Sequence, residues 1–251
     1  MDGGSEVCTT RETVTRPSNG PVVITGDVVT SRRYRDRAQL LAGLDAALAD
    51  VRGASPGVIE LRRLDGDVFL GAYADVGSAA AAALRVRLAT DGLLLATLMG
   101  TTEAVELRLG MGVGPGWLVA AGGGDGAATA LDRATTLARA ALAEAEELPT
   151  SRRWPDSLRS RCRACDPVLE GAINAHLLLQ DQLLARLDTR DRRALVGLLD
   201  GERQVDVAAA LGVSQPAIAR RIRVRGSLAL HRALLELQRA TWTPDSAAED
   251  L

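Results

Sequence analysis

The chain of 251 residues contains no lysine, and all 30 of its basic residues are arginine. Alanine and leucine are abundant, so this reads as a codon bias and carries no functional weight. Aromatic residues are nearly as scarce, at 2%. Trp117, Trp154 and Trp242 are too separate to form a platform on which nucleic-acid bases stack. The three cysteines are an odd count, which argues against a disulfide framework. Cys162-x-x-Cys165 has the spacing of half a zinc site. The remaining ligand candidates, Cys8, His176 and His231, are scattered, and two of them fall on apolar helix faces, which argues against four-ligand structural zinc. Residues 122–124 are glycines without a following Gly-Lys-Ser/Thr, so they form no phosphate-binding P-loop; a flexible connection before a helix is expected there. No apolar run approaches the ~18 residues of a membrane span. The polar first 19 residues lack the apolar centre of a signal peptide and read as a disordered leader. A cytoplasmic protein without a membrane partner is therefore expected.

What is present suits a globular chain with a proper core, since 47% of the residues are apolar and the net charge is only −2. Val22–Val29 is strand-like, although Gly26 and Asp27 interrupt it. The segment from Asp36 to Val51 places Leu40, Leu41, Leu44, Ala47 and Leu48 on one face, as an amphipathic helix does. Val58–Leu64 and Val68–Tyr73 read as strands joined by the Asp65-Gly66 turn, a strong hairpin signal. An Ala-rich helix over Val76–Thr90, an alternating strand over Val105–Val113 and a helix over Ala127–Glu147 follow. This β-α-β-β-α-β order is what a ferredoxin-like sheet requires.

The stretch 149–157, with two prolines, breaks the pattern and is taken as a linker between an α+β domain at 20–148 and an all-helical domain at 158–241. Beyond it lie a helix over Pro167–Leu187, a second opened by Thr189 as N-cap, three short helices to Arg239, and an acidic, frayed tail at 242–251.

Residues 204–222, "QVDVAAALGVSQPAIARRI", have the spacing of a helix-turn-helix. Ala208 is small where two helices cross, and Gly212 supplies the positive φ of the turn. Val207, Leu211, Val213, Ile218 and Ile222 pin the second helix, while Ser214 caps it and Pro216 sits near its start. An ordinary helix pair in a bundle is the plainer alternative. Ser214, Gln215, Ala219, Arg220 and Arg223 are expected to face a DNA major groove or its rim, where Gln and Arg read base edges. Arg220, Arg221, Arg223 and Arg225 form a local basic patch on a net-acidic chain, which favours phosphate contact. The motif resembles the helix-turn-helix of phage Cro-type repressors and of LuxR and sigma-like regulators.

Asp27, followed by the hairpin "LDGDVF" with Asp67 and then by "LRLGMGVGPG", resembles in order the blocks of class III nucleotide cyclases and their GGDEF relatives. The resemblance implies that Asp27 and Asp67 bind Mg²⁺ or Mn²⁺ and thereby the phosphates of a purine nucleotide. It also implies that Arg133 stabilises phosphate and that Arg63 lies where cyclases carry a base-reading lysine. Thr129 replaces the asparagine of the family, and Val68 replaces an acidic residue before Phe69. These departures fit a nucleotide-binding or vestigial site better than a fast enzyme. The alternative for the two aspartates is an ordinary role in turns and caps.

A resemblance over nearly the whole chain is to the SatD family, carried by "GDVVTSRRYRDRAQLLAGL", "GDVFLGAY", "RLGMGVGPG", "DGAATALDRA" and "LGVSQPAIARRI" in that order. It implies a cyclase-like domain followed by a helix-turn-helix. The expectation is a DNA-binding transcriptional regulator whose first domain makes a homodimer and takes a nucleotide or divalent metal. The alternatives are an active nucleotidyl cyclase or nucleotidyltransferase acting on ATP or GTP, and a protein-interaction module using the helix-turn-helix as scaffold.

Overall fold

A computed structural model describes residues 20–55 and 57–240, with the side chains of 117–124 outside that description. The expected leader at 1–19 and tail at 242–251 lie outside the described residues, as do Cys8, Trp242 and the Trp117 side chain. The chain opens with strand β1 (Val22–Val28) and helix α1 (Arg37–Ala54), followed by the hairpin β2 (Val58–Arg63) and β3 (Phe69–Tyr73). Helix α2 (Val76–Asp91), a ribbon of β4 (Leu94–Ala96) and β5 (Thr102–Ala104), β6 (Leu107–Val113) and the long α3 (Gly116–Glu147) come next. Then follow β7 (Ser160–Ala164), α4 (Pro167–Leu184), α5 (Thr189–Leu199), α6 (Gln204–Ala210), α7 (Gln215–Val224) and α8 (Ser227–Arg239).

Local chemistry accounts for most boundaries. The Asp36 carboxylate accepts from the Gln39 amide and starts α1, and Asp75 does the same for α2 through Ser78. Gly66, at φ +54°, closes the β2–β3 turn, in which the Val68 amide donates to the Asp65 carbonyl. The five-stranded sheet has the order β2-β3-β1-β6-β7. β1 is antiparallel to both β3 and β6, whereas β7 joins β6 in parallel.

Alternation along β1 divides the molecule into layers. Val22, Ile24 and Val28 join Leu40, Leu44 and Leu84 in a core under α1 and α2. Val23 faces the opposite way, against Ala134 and Ala138 of α3. Along β6, Gly110 and Gly112 let the α3 backbone come so close that an added Cβ would strike the carbonyl oxygens of Ala138 and Ala134. The fold is mixed α+β, with the sheet at its centre.

Four expectations need correction. Ser160–Ala164 is a strand of the main sheet, so the chain after 157 is not helical throughout. The core also runs across the expected linker, since Ile173, Leu177, Leu195 and Leu230 belong to the same apolar cluster as Val22 and Ile24. The glycines 122–124 lie inside α3, which begins at Gly116 rather than Ala127. Asp188, not Thr189, caps α5, and it forms a reciprocal capping box with Asp191.

Candidate functional site

Asp27 sits near the end of β1, directly across from Arg108 of β6 in the strand register. The Arg108 guanidinium grips it with both arms, Nε donating to Oδ1 at 2.9 Å and Nη2 to Oδ2 at 3.0 Å. The other Arg108 nitrogen, Nη1, reaches Glu146 near the end of α3 at 2.6 Å. The hairpin turn carries Asp67 to the same end of β1, where its Oδ2 accepts from the Val28 amide at 3.2 Å. Its Oδ1 faces Arg37 of α1 at 3.3 Å. Burial pushes the Asp27 carboxyl up from its ordinary value, more than Arg108 pulls it down, and the charges of Glu146 and Asp67 add to the rise.

The two carboxylates expected to form a pair are therefore neighbours. They are not, however, a set that fits Mg²⁺ or Mn²⁺. Both oxygens of each are already engaged by protein donors, and among the described residues no group of three or more His, Cys, Asp or Glu side chains could hold a metal ion. Arg108 supplies in place the positive charge that a divalent cation would bring. Among the described residues the Asp27 and Asp67 carboxylates are held by Arg108, Arg37 and the Val28 amide.

The remaining residues of the expected nucleotide site are dispersed. Arg63 is held by Asp45 of α1 through two hydrogen bonds of 2.7 and 2.8 Å and donates to the Gly66 carbonyl at 3.0 Å. It braces the hairpin against α1. Thr129 is exposed, and its hydroxyl donates to the Asp125 carbonyl one turn back in α3. Arg133 is also exposed on α3. It precedes Glu146, which marks the Asp27 end, by about 20 Å of helix at ~1.5 Å rise per residue. Thr129 and Arg133 therefore lie well along α3 from the Asp27 end, whereas Arg63 stands at the hairpin turn that carries Asp67.

At the other end of the chain, α6 and α7 pack together around Val207, Ala208, Ile218 and Ile222, all buried with Ala194 of α5. Gly212 makes the turn with φ +64°, and the Val213 amide donates back to the Ala208 carbonyl at 3.0 Å. Ser214 has the extended backbone of an N-cap, but its side chain makes no capping bond. Gln215 instead links the starts of the two helices, donating to Gln204 at 3.0 Å.

The basic patch separates into two kinds of arginine. Arg221 turns back onto α5, where its Nε donates to Asp191 at 2.8 Å and its Nη2 pairs with Asp188; Arg225 approaches Asp191 at 3.8 Å. Arg220 and Arg223 are exposed and make no salt bridge among the described residues, while the smaller Ala219 is half-buried. Arg221 is thus a brace of the helix pair and not one of its outward contacts.

Sequence reasoning missed two arrangements. Arg108 was legible only as a polar residue alternating within "LRLGMGV", and its partner depends on strand register. The second is the buried pair of Arg87 (α2) and Asp181 (α4). Asp181 also accepts from the backbone amides of Arg159 and Ser160, both at 2.7 Å. Cys162 is buried in β7, where burial pushes its thiol up, while Cys165 is exposed.

No family model matches the chain, and no curated protein does. The resemblance to the SatD family thus rests on the five sequence blocks alone. Among solved structures, the chain is similar to the GGDEF domain of DgcB from Caulobacter crescentus in complex with c-di-GMP, at 14% identity and a TM-score of 0.40, covering 57% of this chain and 77% of that one. A similar match is the GGDEF domain of PA1120 from Pseudomonas aeruginosa, at 17% identity and a TM-score of 0.37, over 58% of this chain and 82% of that one. The regulator of polyketide synthase expression from Bifidobacterium adolescentis covers 88% of this chain and 80% of its own, at 13% identity and a TM-score of 0.21. No described helix is long and apolar enough to cross a membrane.

Proposed function

We propose that the chain is a DNA-binding regulator, with α6 and α7 acting as a helix-turn-helix and the sheet serving as a ferredoxin-like, cyclase-like scaffold that does no cyclase chemistry. The observation that carries this reading is the division of labour on α7. Arg221 is spent on holding the helix to α5, while Arg220 and Arg223, together with Ser214 and Gln215, are left on the exposed side. Such a surface offers cations to phosphates and an amide to a base edge. A homodimer made through the first domain would space two α7 helices for a two-fold symmetric site.

The test is fluorescence anisotropy with duplex DNA across a salt series. Replacing Arg220 and Arg223 together by Ala is expected to weaken binding at least ~10-fold and to lower the salt slope by about 2, near 0.9 for each lost phosphate contact. Unchanged affinity in that double variant overturns the reading.

A second reading, a nucleotidyl cyclase acting on ATP or GTP, is favoured by the placement of Asp67 beside Asp27 at the end of β1. Against it stand Arg108, which already neutralises Asp27, and the distance of Arg133. Incubation with ATP or GTP and Mn²⁺ separates the two readings: a cyclic or dinucleotide product lost in Asp67→Asn would establish the second.

A further inference from the structure

The polarity of α4 runs against its position. Six of its residues are exposed, Pro167, Val168, Gly171, Ala172, Ala175 and Leu179, and not one of them has a polar side chain. Val168 is 67% exposed and Leu179 66%. From Val168 to Leu179 these residues recur at the three- and four-residue steps that set them on one helix face.

Three polar side chains of α4 are turned inward instead, where they close the edge of the sheet. Glu170 accepts from the Ala164 amide at 2.9 Å, and Asp181 accepts from the Ser160 amide at 2.7 Å. Between them Asn174 bonds both the amide and the carbonyl of Cys162, at 2.8 and 2.9 Å. A contiguous apolar face left to water marks an interaction surface. Gly171 points the same way. Glycine inside a helix is costly relative to alanine, and a Cβ at Gly171 would meet nothing within 4 Å in this chain. No contact within the chain calls for it, whereas close approach of a second helix does.

We infer that this face pairs with its counterpart on a second copy of the chain, α4 against α4, antiparallel about a two-fold axis at Ala175. The face is complementary to itself in that arrangement. Leu179 lies as far after Ala175 as Gly171 lies before it, so each Leu179 falls on the partner's Gly171, a large side chain over a position without one. Arg186 continues the face about five turns after Val168. It is exposed, and among the described residues its guanidinium has only a long bond of 3.5 Å to Gln182. Antiparallel pairing carries it to the acidic end of the partner helix, which begins with Asp166 and Glu170. The first 19 residues of the chain do not supply the counterpart, because Met1, Val7, Cys8 and Val14 are their only apolar residues. The pairing does not rest on the DNA-binding reading, whose residues lie on α7, so either can fail without the other. It moves the two-fold axis from the first domain to the helix that closes the same sheet.

Sedimentation velocity of the full chain over ~1–200 µM tests it. A monomer–dimer equilibrium is expected, with dissociation in the micromolar range that suits a single helix pair. Leu179→Glu, at an exposed position, should keep the native circular dichroism spectrum and raise the dissociation constant at least ~10-fold. Mild oxidation reads the register. In a Cys8→Ser, Cys165→Ser background, Ala175→Cys at the axis should link two chains, and Val168→Cys, away from it, should not. The proposal is overturned if the chain stays monomeric, if Leu179→Glu dimerises like the native chain, or if Ala175→Cys links no better than Val168→Cys. A monomer that instead co-sediments with phosphatidylcholine–phosphatidylglycerol vesicles would assign the face to a lipid surface and overturn it equally.

Discussion

At the scale of single residues, the chain illustrates how little an arginine's position in a sequence says about its task. Arg220, Arg221 and Arg223 are equivalent cations in "ARRIRV", but the helical turn sends Arg221 inward to Asp188 and Asp191. Arg221→Ala should lower stability by about 1–2 kcal/mol, because Asp191, only 1% exposed, loses its charged donor. Urea unfolding monitored by circular dichroism measures this, and Arg220→Ala should leave the midpoint where it was.

Asp188 supplies the pH dependence. Its carboxyl is held below the ordinary range, first by the Asp191 amide that donates to it and then by Arg221. A depressed carboxylate stabilises the fold above its unfolded value of about 3.9, and that contribution is lost as pH falls through the folded value. Asp188→Asn should therefore melt below the native chain at pH 6, with the gap narrowing as pH falls below the unfolded value of about 3.9. A gap that persists to the acid limit would show that the charge of Asp188 contributes nothing.

At the scale of elements, periodicity made most of the fold legible. The hairpin around Asp65-Gly66, the helix after Asp36, the alternating β6 and the turn at Gly212 all stand where the pattern places them, within a few residues. β7 was not legible because "SRCRA" is short and polar. It becomes a strand by pairing with β6, with Ser160 and Cys162 buried and Arg161 and Arg163 turned to Glu144 of α3. The glycines 122–124 misled in the opposite sense, since an isolated propensity for loops is overridden inside a long helix. The carboxylate pair was half legible: chain order brings Asp27 and Asp67 together, but only register reveals Arg108. For β6 itself, Gly112→Ala should destabilise by about 1–3 kcal/mol through overpacking against α3, measurable as a fall in the urea midpoint.

At the scale of the whole molecule, the sheet and the C-terminal helices are tied together by burial and by charge. One apolar cluster spans both, and the Arg87–Asp181 pair links α2 to α4 and, through the Ser160 amide, to β7. Removing one member of a buried pair leaves an uncompensated charge, so Arg87→Ala should cost about 3–5 kcal/mol. The shared core also predicts one cooperative transition on heating, with equal calorimetric and van 't Hoff enthalpies. Two resolved transitions would show that the linker at 149–157 separates independent units after all.

The glycines of β6 have a further consequence, one of clearance. Where α3 rides on Gly110 and Gly112, backbone meets backbone, and no corridor wide enough for a purine ring is left between helix and sheet. Asp27 lies on that same covered face. A molecule seeking its carboxylate could not slide in along the sheet; it would have to arrive end-on, at the mouth guarded by Arg108 and Glu146.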